Sequence, residues 1–187
     1  MSESFAESEP GESMPPEPRL SRRAWLRKGS ASVLSVAAMS GGYYYMQRPF
    51  VMPLYFDGHH AFAHITHPPI IHAIVRYAND LTEQPYRRGG GHHVLFDQGF
   101  DCSGSISHVL YRAGLIRQSM DSKAFGHFGV GGHGMYVTIH VKPGQHVFMV
   151  VCGLRFDTTG RPDENGPRCH EHGRDYSGFQ PRHPASL

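Results

Sequence analysis

An α+β fold, with a cysteine at the start of a helix packed on a small antiparallel sheet, is what this sequence predicts, and three observations carry it. Apolar residues recur at helical spacing through residues 70–81. A second helical rhythm begins at Cys102. After a glycine-rich loop come three short runs rich in β-branched and aromatic residues, separated by tight turns.

The first helix opens at Pro68 and Pro69, which suit a helix start because proline lacks the N–H that would go unpaired there. Ile70, Ile71, Ile74, Val75, Ala78 and Leu81 share one face, and Pro85 closes the segment. The second runs from about Cys102 to Ala113, with Ile106, Val109 and Leu110 as its apolar stripe and Gly114 as its stop. "MYVTIHV" and "HVFMVVCG" then read as strands joined by the turn "KPGQ", and "LRFDTT" follows as a third. From Arg161 onward the chain reads as irregular covering, apart from a short strand at "GFQPRHP".

Length bounds the architecture. At 187 residues the chain accommodates one domain with extensions. Residues 2–18 hold five Glu and four Pro with almost no large apolar side chains, and read as disordered. The following "SRRAWLRKGSASVLSVAAMSGG" pairs Arg22 with Arg23 ahead of Trp25 and Leu26, then becomes weakly apolar from Ala31 to Met39. It resembles a twin-arginine export signal. The apolar part is shorter than the roughly 20 residues a membrane-spanning helix needs, so no stable span is expected.

Three regions follow: residues 1–40 as disordered start and export signal, 41–69 as an arm or linker over the surface, and 70–187 as the folded domain. Removing residues 1–40 takes five basic and five acidic side chains, so the net charge stays at +2. No Lys/Arg stripe interleaves with aromatic residues, which argues against a nucleic-acid partner.

The chemistry centres on "GFDCSG", residues 99–104. A cysteine at a helix start meets unpaired N–H groups and the positive end of the dipole, surroundings that favour thiolate over thiol. Ser103 and Gly104 are small enough to leave the sulfur accessible, and Asp101 complements the helix dipole. His146 opens a strand just after a tight turn, a position from which its imidazole can act as base. Helix cysteine, strand histidine, then a polar residue on the next strand is a papain-like order.

"PYRRGG", "GFDCSG" and "GQHVFMVV" together resemble the NlpC-type family of papain-like cell-wall peptidases, over roughly Ile70 to Thr159. The resemblance implies a cysteine hydrolase that needs no cofactor or metal and cleaves a peptide amide of peptidoglycan, exported to the periplasm or cell envelope. It makes Cys102 the nucleophile and His146 its base. Tyr86 becomes the tyrosine lining the site, and Asp101 with Ser103 the contacts for the free amino end of a stem peptide.

The family's third catalytic residue lies about twelve positions after the histidine, which lands on Thr158. Asp157 is chemically the better orienter, but strand alternation sends it to the opposite face from Phe156 and Thr158; His183 in the tail is another rival. Arg88 stands where the family has Trp or Tyr, and "GGGHHVLFDQ" lengthens the segment before the nucleophile. An amidase or acyltransferase of the same fold, or a non-catalytic module binding cell-wall peptide or metal, are the alternatives. "CHEH" at 169–172 and the cluster of His59, His60, His64 and His67 match no closed zinc pattern and read as solvated. Cys152 reads as a core strand residue that Cys169 could pair with after export.

Overall fold

The computed structural model describes residues 50–93, 96–159, 166–171 and 173–187. The expected export signal lies outside these residues. Within them the chain is α+β: a two-stranded antiparallel ribbon, three helices and a six-stranded antiparallel sheet.

The helices form where apolar spacing and capping agree. Helix α1 spans Pro69–Asn79, with Pro68 at its N-cap and Ile71, Ile74, Val75 and Ala78 buried on one face. Helix α2 spans Cys102–Arg112. The Asp101 carboxylate caps it by accepting the Gly104 N–H at 2.7 Å, and Gly114, at φ +75°, ends it. There the Gly114 N–H bonds the Tyr111 carbonyl at 2.9 Å and the Leu115 N–H bonds the Leu110 carbonyl at 2.8 Å. That pair of bonds satisfies the last carbonyls of the helix, as the left-handed glycine allows. A single turn, α3, covers Ser122–Phe125 and buries Phe125.

Strands β1 (Tyr55–Phe56) and β2 (Ala61–Phe62) make the small ribbon. The large sheet contains β3 (Val130–Gly131), β4 (Val137–Lys142), β5 (His146–Val151), β6 (Leu154–Asp157), β7 (Arg168–His170) and β8 (Gln180–His183), ordered β3-β8-β4-β5-β6-β7. The three expected strands are its centre. The tail supplies two more: β8, foreseen, pairs β4, and β7, read as irregular covering, pairs β6. A three-residue strand flanked by glycine and proline carries too short a period to stand out in the sequence.

Register divides the sheet into unlike faces. Val137, Ile139, Val141, Val147, Met149, Val151, Leu154 and Phe156 share one face by direct pairing, and all join the buried core with α1 and α2. Each such side chain contributes about 1.5–3 kcal/mol relative to exposure. The other face carries Thr138, His140, His146, Phe148 and Arg155, and is covered partly by Tyr176 and Phe179 of the tail. Residues 50–69 also belong to the compact unit, which begins at Phe50. Ala61 there is buried and Leu54 packs on the core, so this segment is more than the surface arm expected.

Candidate active site

Glycine builds the frame around Cys102. The segment from Pro85 runs beside residues 99–100, with the Phe100 N–H on the Pro85 carbonyl and the Arg87 N–H on the Phe100 carbonyl, both at 3.1 Å. It then turns over the start of α2. A Cβ at Gly104 would overlap the Gly90 carbonyl oxygen, and one at Gly90 would overlap Gly99. The glycines of "RRGGG" and "DCSG" therefore let two backbones touch where any side chain would separate them.

Cys102 sits at the first position of α2 with its side chain partly exposed. His146, at the first position of β5, lies close enough to the sulfur for the two groups to interact. The imidazole Nε2 bonds Asp157 Oδ1 at 2.9 Å, which leaves Nδ1 as the ring nitrogen for the sulfur. Burial alone would push the imidazole pKa down, but the hydrogen bonds and charges of Asp157 and Cys102 outweigh it and hold it up at about 9. His140, farther along the same face and stacked on Phe148, has only burial and the neighbouring His133, and falls to about 4. A carboxylate beside one ring and none beside the other separates the two histidines.

Asp157, not Thr158, is thus the residue that holds His146. Alternation does place Asp157 opposite Phe156 and Thr158; the sequence reading erred in assigning His146 to their face. The two-residue turn Cys152-Gly153, both at positive φ (+43° and +87°), fixes the pairing of Val151 with Leu154 and Met149 with Phe156. Carried one step further, that register sets Asp157 opposite Phe148, hence diagonal to His146 on the same face. Thr158 is buried, its N–H donates to Asp157 Oδ1 at 2.8 Å, and its hydroxyl has no hydrogen-bond partner among the described residues. His183, the other rival, bonds the Gly132 carbonyl from β8. Cys152, read as a strand residue, occupies the turn itself.

The Asp157 carboxylate has no exposed surface. Arg155 Nη1 and Arg174 Nη1 reach its Oδ2 at 2.8 and 2.6 Å, and the Thr159 N–H and hydroxyl complete the set. Burial would raise its pKa, but the bond to His146 and the charges of His146 and Arg174 hold it below the usual carboxylate range. Arg174 also lies over the Phe148 and Phe179 rings at 4.9 and 5.1 Å. Nothing in the sequence pattern marks Arg155 or Arg174; both reach Asp157 through strand pairing and the fold of the tail.

On the other side of the sulfur lie the three residues expected to contact substrate. Tyr86 is half-exposed, and burial together with the charges of Cys102 and Asp101 raises its phenol pKa, against the opposing charge of Arg88. Asp101 and Ser103 are adjacent to the sulfur in sequence but already bonded within the protein. Ser103 Oγ donates to Asp101 Oδ1 at 3.1 Å, and His92 Nε2 lies 3.0 and 3.1 Å from the two Asp101 oxygens and 3.2 Å from Ser103 Oγ. His92 is therefore part of the site.

The remaining cysteines are free and buried, with burial pushing the thiols up to about 11 at Cys152 and about 12 at Cys169. Cys169 pairs with Phe156, away from the β5–β6 turn that holds Cys152. Elsewhere, His67 bonds the Met52 carbonyl and His59 pairs with Glu83. Among the described residues no three His, Cys, Asp or Glu side chains converge as metal ligands, and no helix is long and apolar enough to cross a membrane. No family model, curated protein or solved structure matches this chain.

Proposed function

We propose that this protein is a papain-like cysteine hydrolase of the NlpC type, exported to the periplasm or cell envelope, that cleaves a peptide amide bond in peptidoglycan stem peptides. The observation that carries the reading is the chain of contacts Cys102–His146–Asp157. It joins a partly exposed sulfur at a helix N-terminus to an imidazole held protonated at neutral pH by a buried carboxylate. The substrate and the compartment come from the resemblance of "PYRRGG", "GFDCSG" and "GQHVFMVV" and from the paired Arg22 and Arg23.

The mechanism follows from the groups present. The Cys102 thiolate attacks the amide carbon, and the developing oxyanion meets first-turn N–H groups of α2, the Cys102 N–H among them. His146 delivers its proton to the leaving amine, which departs as the carbonyl re-forms to give a thioester. The now neutral imidazole takes a proton from water, the hydroxide adds to the thioester, and the sulfur leaves. Asp157 keeps the ring oriented throughout, and its paired arginines hold the carboxylate in place.

Incubation with purified peptidoglycan, followed by mass spectrometry of released peptides, tests this reading. Wild type is expected to release defined fragments, and Cys102→Ala and His146→Ala none. A thiol-directed electrophile at neutral pH is expected to label Cys102 well ahead of Cys152 and Cys169. Equal labelling of all three would leave a binding module as the better account. Replacing Arg22 and Arg23 by Lys is expected to retain the protein in the cytoplasm; unchanged export would remove the localisation.

A further inference from the structure

We propose that His92 closes the corner beside Cys102 to a ligand ammonium, so that the peptide accepted there has its amino end in amide linkage. The inference rests on the hydrolase reading and names its substrate class: an acylated peptide, in contrast to the free amino end that the family resemblance implies.

Two carboxylates are tied to the surroundings of the sulfur, and the protein's own donors occupy both. Asp157 has no exposed surface and faces His146 and two arginines. Asp101 accepts the Gly104 N–H at 2.7 Å, the Gly89 N–H at 3.0 Å and the Ser103 hydroxyl at 3.1 Å, besides His92 Nε2 against both oxygens. A carboxylate offers about four lone-pair positions, so none is left for an incoming ammonium.

His92 is itself fixed. Its Nδ1 lies 3.1 Å from Ser119 Oγ, and that hydroxyl donates to the Gly91 carbonyl at 3.1 Å. Each ring nitrogen thus faces an acceptor, and the imidazole stands where a ligand cation would. Arg88, whose charge bears on the Tyr86 phenol, adds repulsion toward any further cation. An ammonium arriving here would be desolvated without a free anion to meet it, whereas an amide carries no charge to strand.

The Tyr86 phenol, which feels both Cys102 and Asp101, is half-exposed. His92 also forms one wall of an open depression of about 660 Å³, whose other walls include Leu115, Ile116, Arg117, Met120 and Asp121; the Asp121 carboxylate there accepts the Ala124 N–H at 2.7 Å.

Binding and cleavage of two synthetic stem tetrapeptides, identical except for a free or an N-acetylated amino end, decide the matter. Calorimetry on the full-length Cys102→Ala protein is expected to show the acetylated peptide binding about tenfold tighter or more, the scale of one charge-assisted hydrogen bond denied to the free amine. Adding His92→Ala, which uncovers Asp101, is expected to bring the free amine level or ahead. His92→Gln, which keeps a donor for Asp101, is expected to retain most of the preference, and thermal melts check that each variant folds. Equal or tighter binding of the free amine by the His92 protein would overturn the inference, as would a preference unchanged in His92→Ala, or binding of neither peptide. Cleavage is scored separately with Cys102 intact: tight binding of the acetylated peptide without turnover removes the hydrolase reading and leaves the selectivity standing.

Discussion

Two carboxylate–imidazole pairs flank the sulfur of Cys102, at nearly equal separations of 2.9 Å for Asp157–His146 and 3.0 Å for Asp101–His92. Their settings differ. Asp157 lies wholly inside the sheet's polar face, backed by Arg155 and Arg174, and its partner reaches the sulfur. Asp101 is the N-cap of α2, and its partner arrives from a loop anchored by Ser119. On the proposed reading the same two functional groups support two tasks: one pair activates, and the other shapes what may approach. Burial and the third party to each pair, sulfur in one case and a serine hydroxyl in the other, make the difference.

The largest expected effect separates the two imidazoles. His146→Ala is expected to lower amide hydrolysis by about 10²–10⁴-fold, the usual range for a positioned acid–base group. His92→Ala is expected to leave turnover of an acylated peptide within about tenfold of wild type, a margin corresponding to about 1.4 kcal/mol. Steady-state rates on one acylated substrate check both, and equal losses would break the comparison.

The two carboxylates are expected to differ in stability as well. Asp157→Ala leaves buried cations facing an empty site and is expected to cost about 3–5 kcal/mol. Asp101→Ala removes a helix cap and is expected to cost about 0.5–2 kcal/mol. Denaturant titrations measure both.

A third prediction concerns pH. The His146 pKa is raised from an ordinary 6.5 to about 9, so its contribution to stability is fully present below about 6.5 and is lost as pH rises through 9. The gap in melting temperature between wild type and His146→Ala is therefore expected to shrink from pH 6.5 to pH 10. Hydrolysis is expected to decline over the same upper limb, as the imidazolium that protonates the leaving amine disappears. Asp157→Asn is expected to move that limb to lower pH; an unmoved limb would assign it to another group.

Most local is the glycine contact that brings both pairs to one place. Gly104→Ala forces the start of α2 away from Gly90 and is expected to destabilise the fold by about 1–3 kcal/mol, the range for overpacking. Because Gly89 and Gly91 carry the His92 side of the site, peptide selectivity is expected to weaken alongside stability.

The comparison also marks what the sequence could convey. Cys102 at a helix start, His146 at a strand start and the central strands were legible because capping, spacing and turns act within a dozen residues. Asp157 ranks behind Thr158 in the sequence because alternation sets it on the opposite face from Thr158; which of those faces His146 shares depends on the length of the β5–β6 turn, and a cysteine at positive φ is a poor advertisement for a tight turn. His92 gave no signal beyond being one of fifteen histidines. Its place depends on a loop nine residues from Asp101 folding back over three glycines.

By itself, then, the sequence determined the local elements: two amphipathic helices, a meander of strands, and a cysteine placed where a helix begins. Those follow from periodicity and caps, which act through near neighbours along the chain. Tertiary structure decided which carboxylate meets which imidazole, that the tail would add β7 and cover the sheet's polar face, and that His92 would reach Asp101 and Ser103. The reason is that such contacts depend on strand register and loop closure over long separations, where a one-residue shift sends every side chain to the other face.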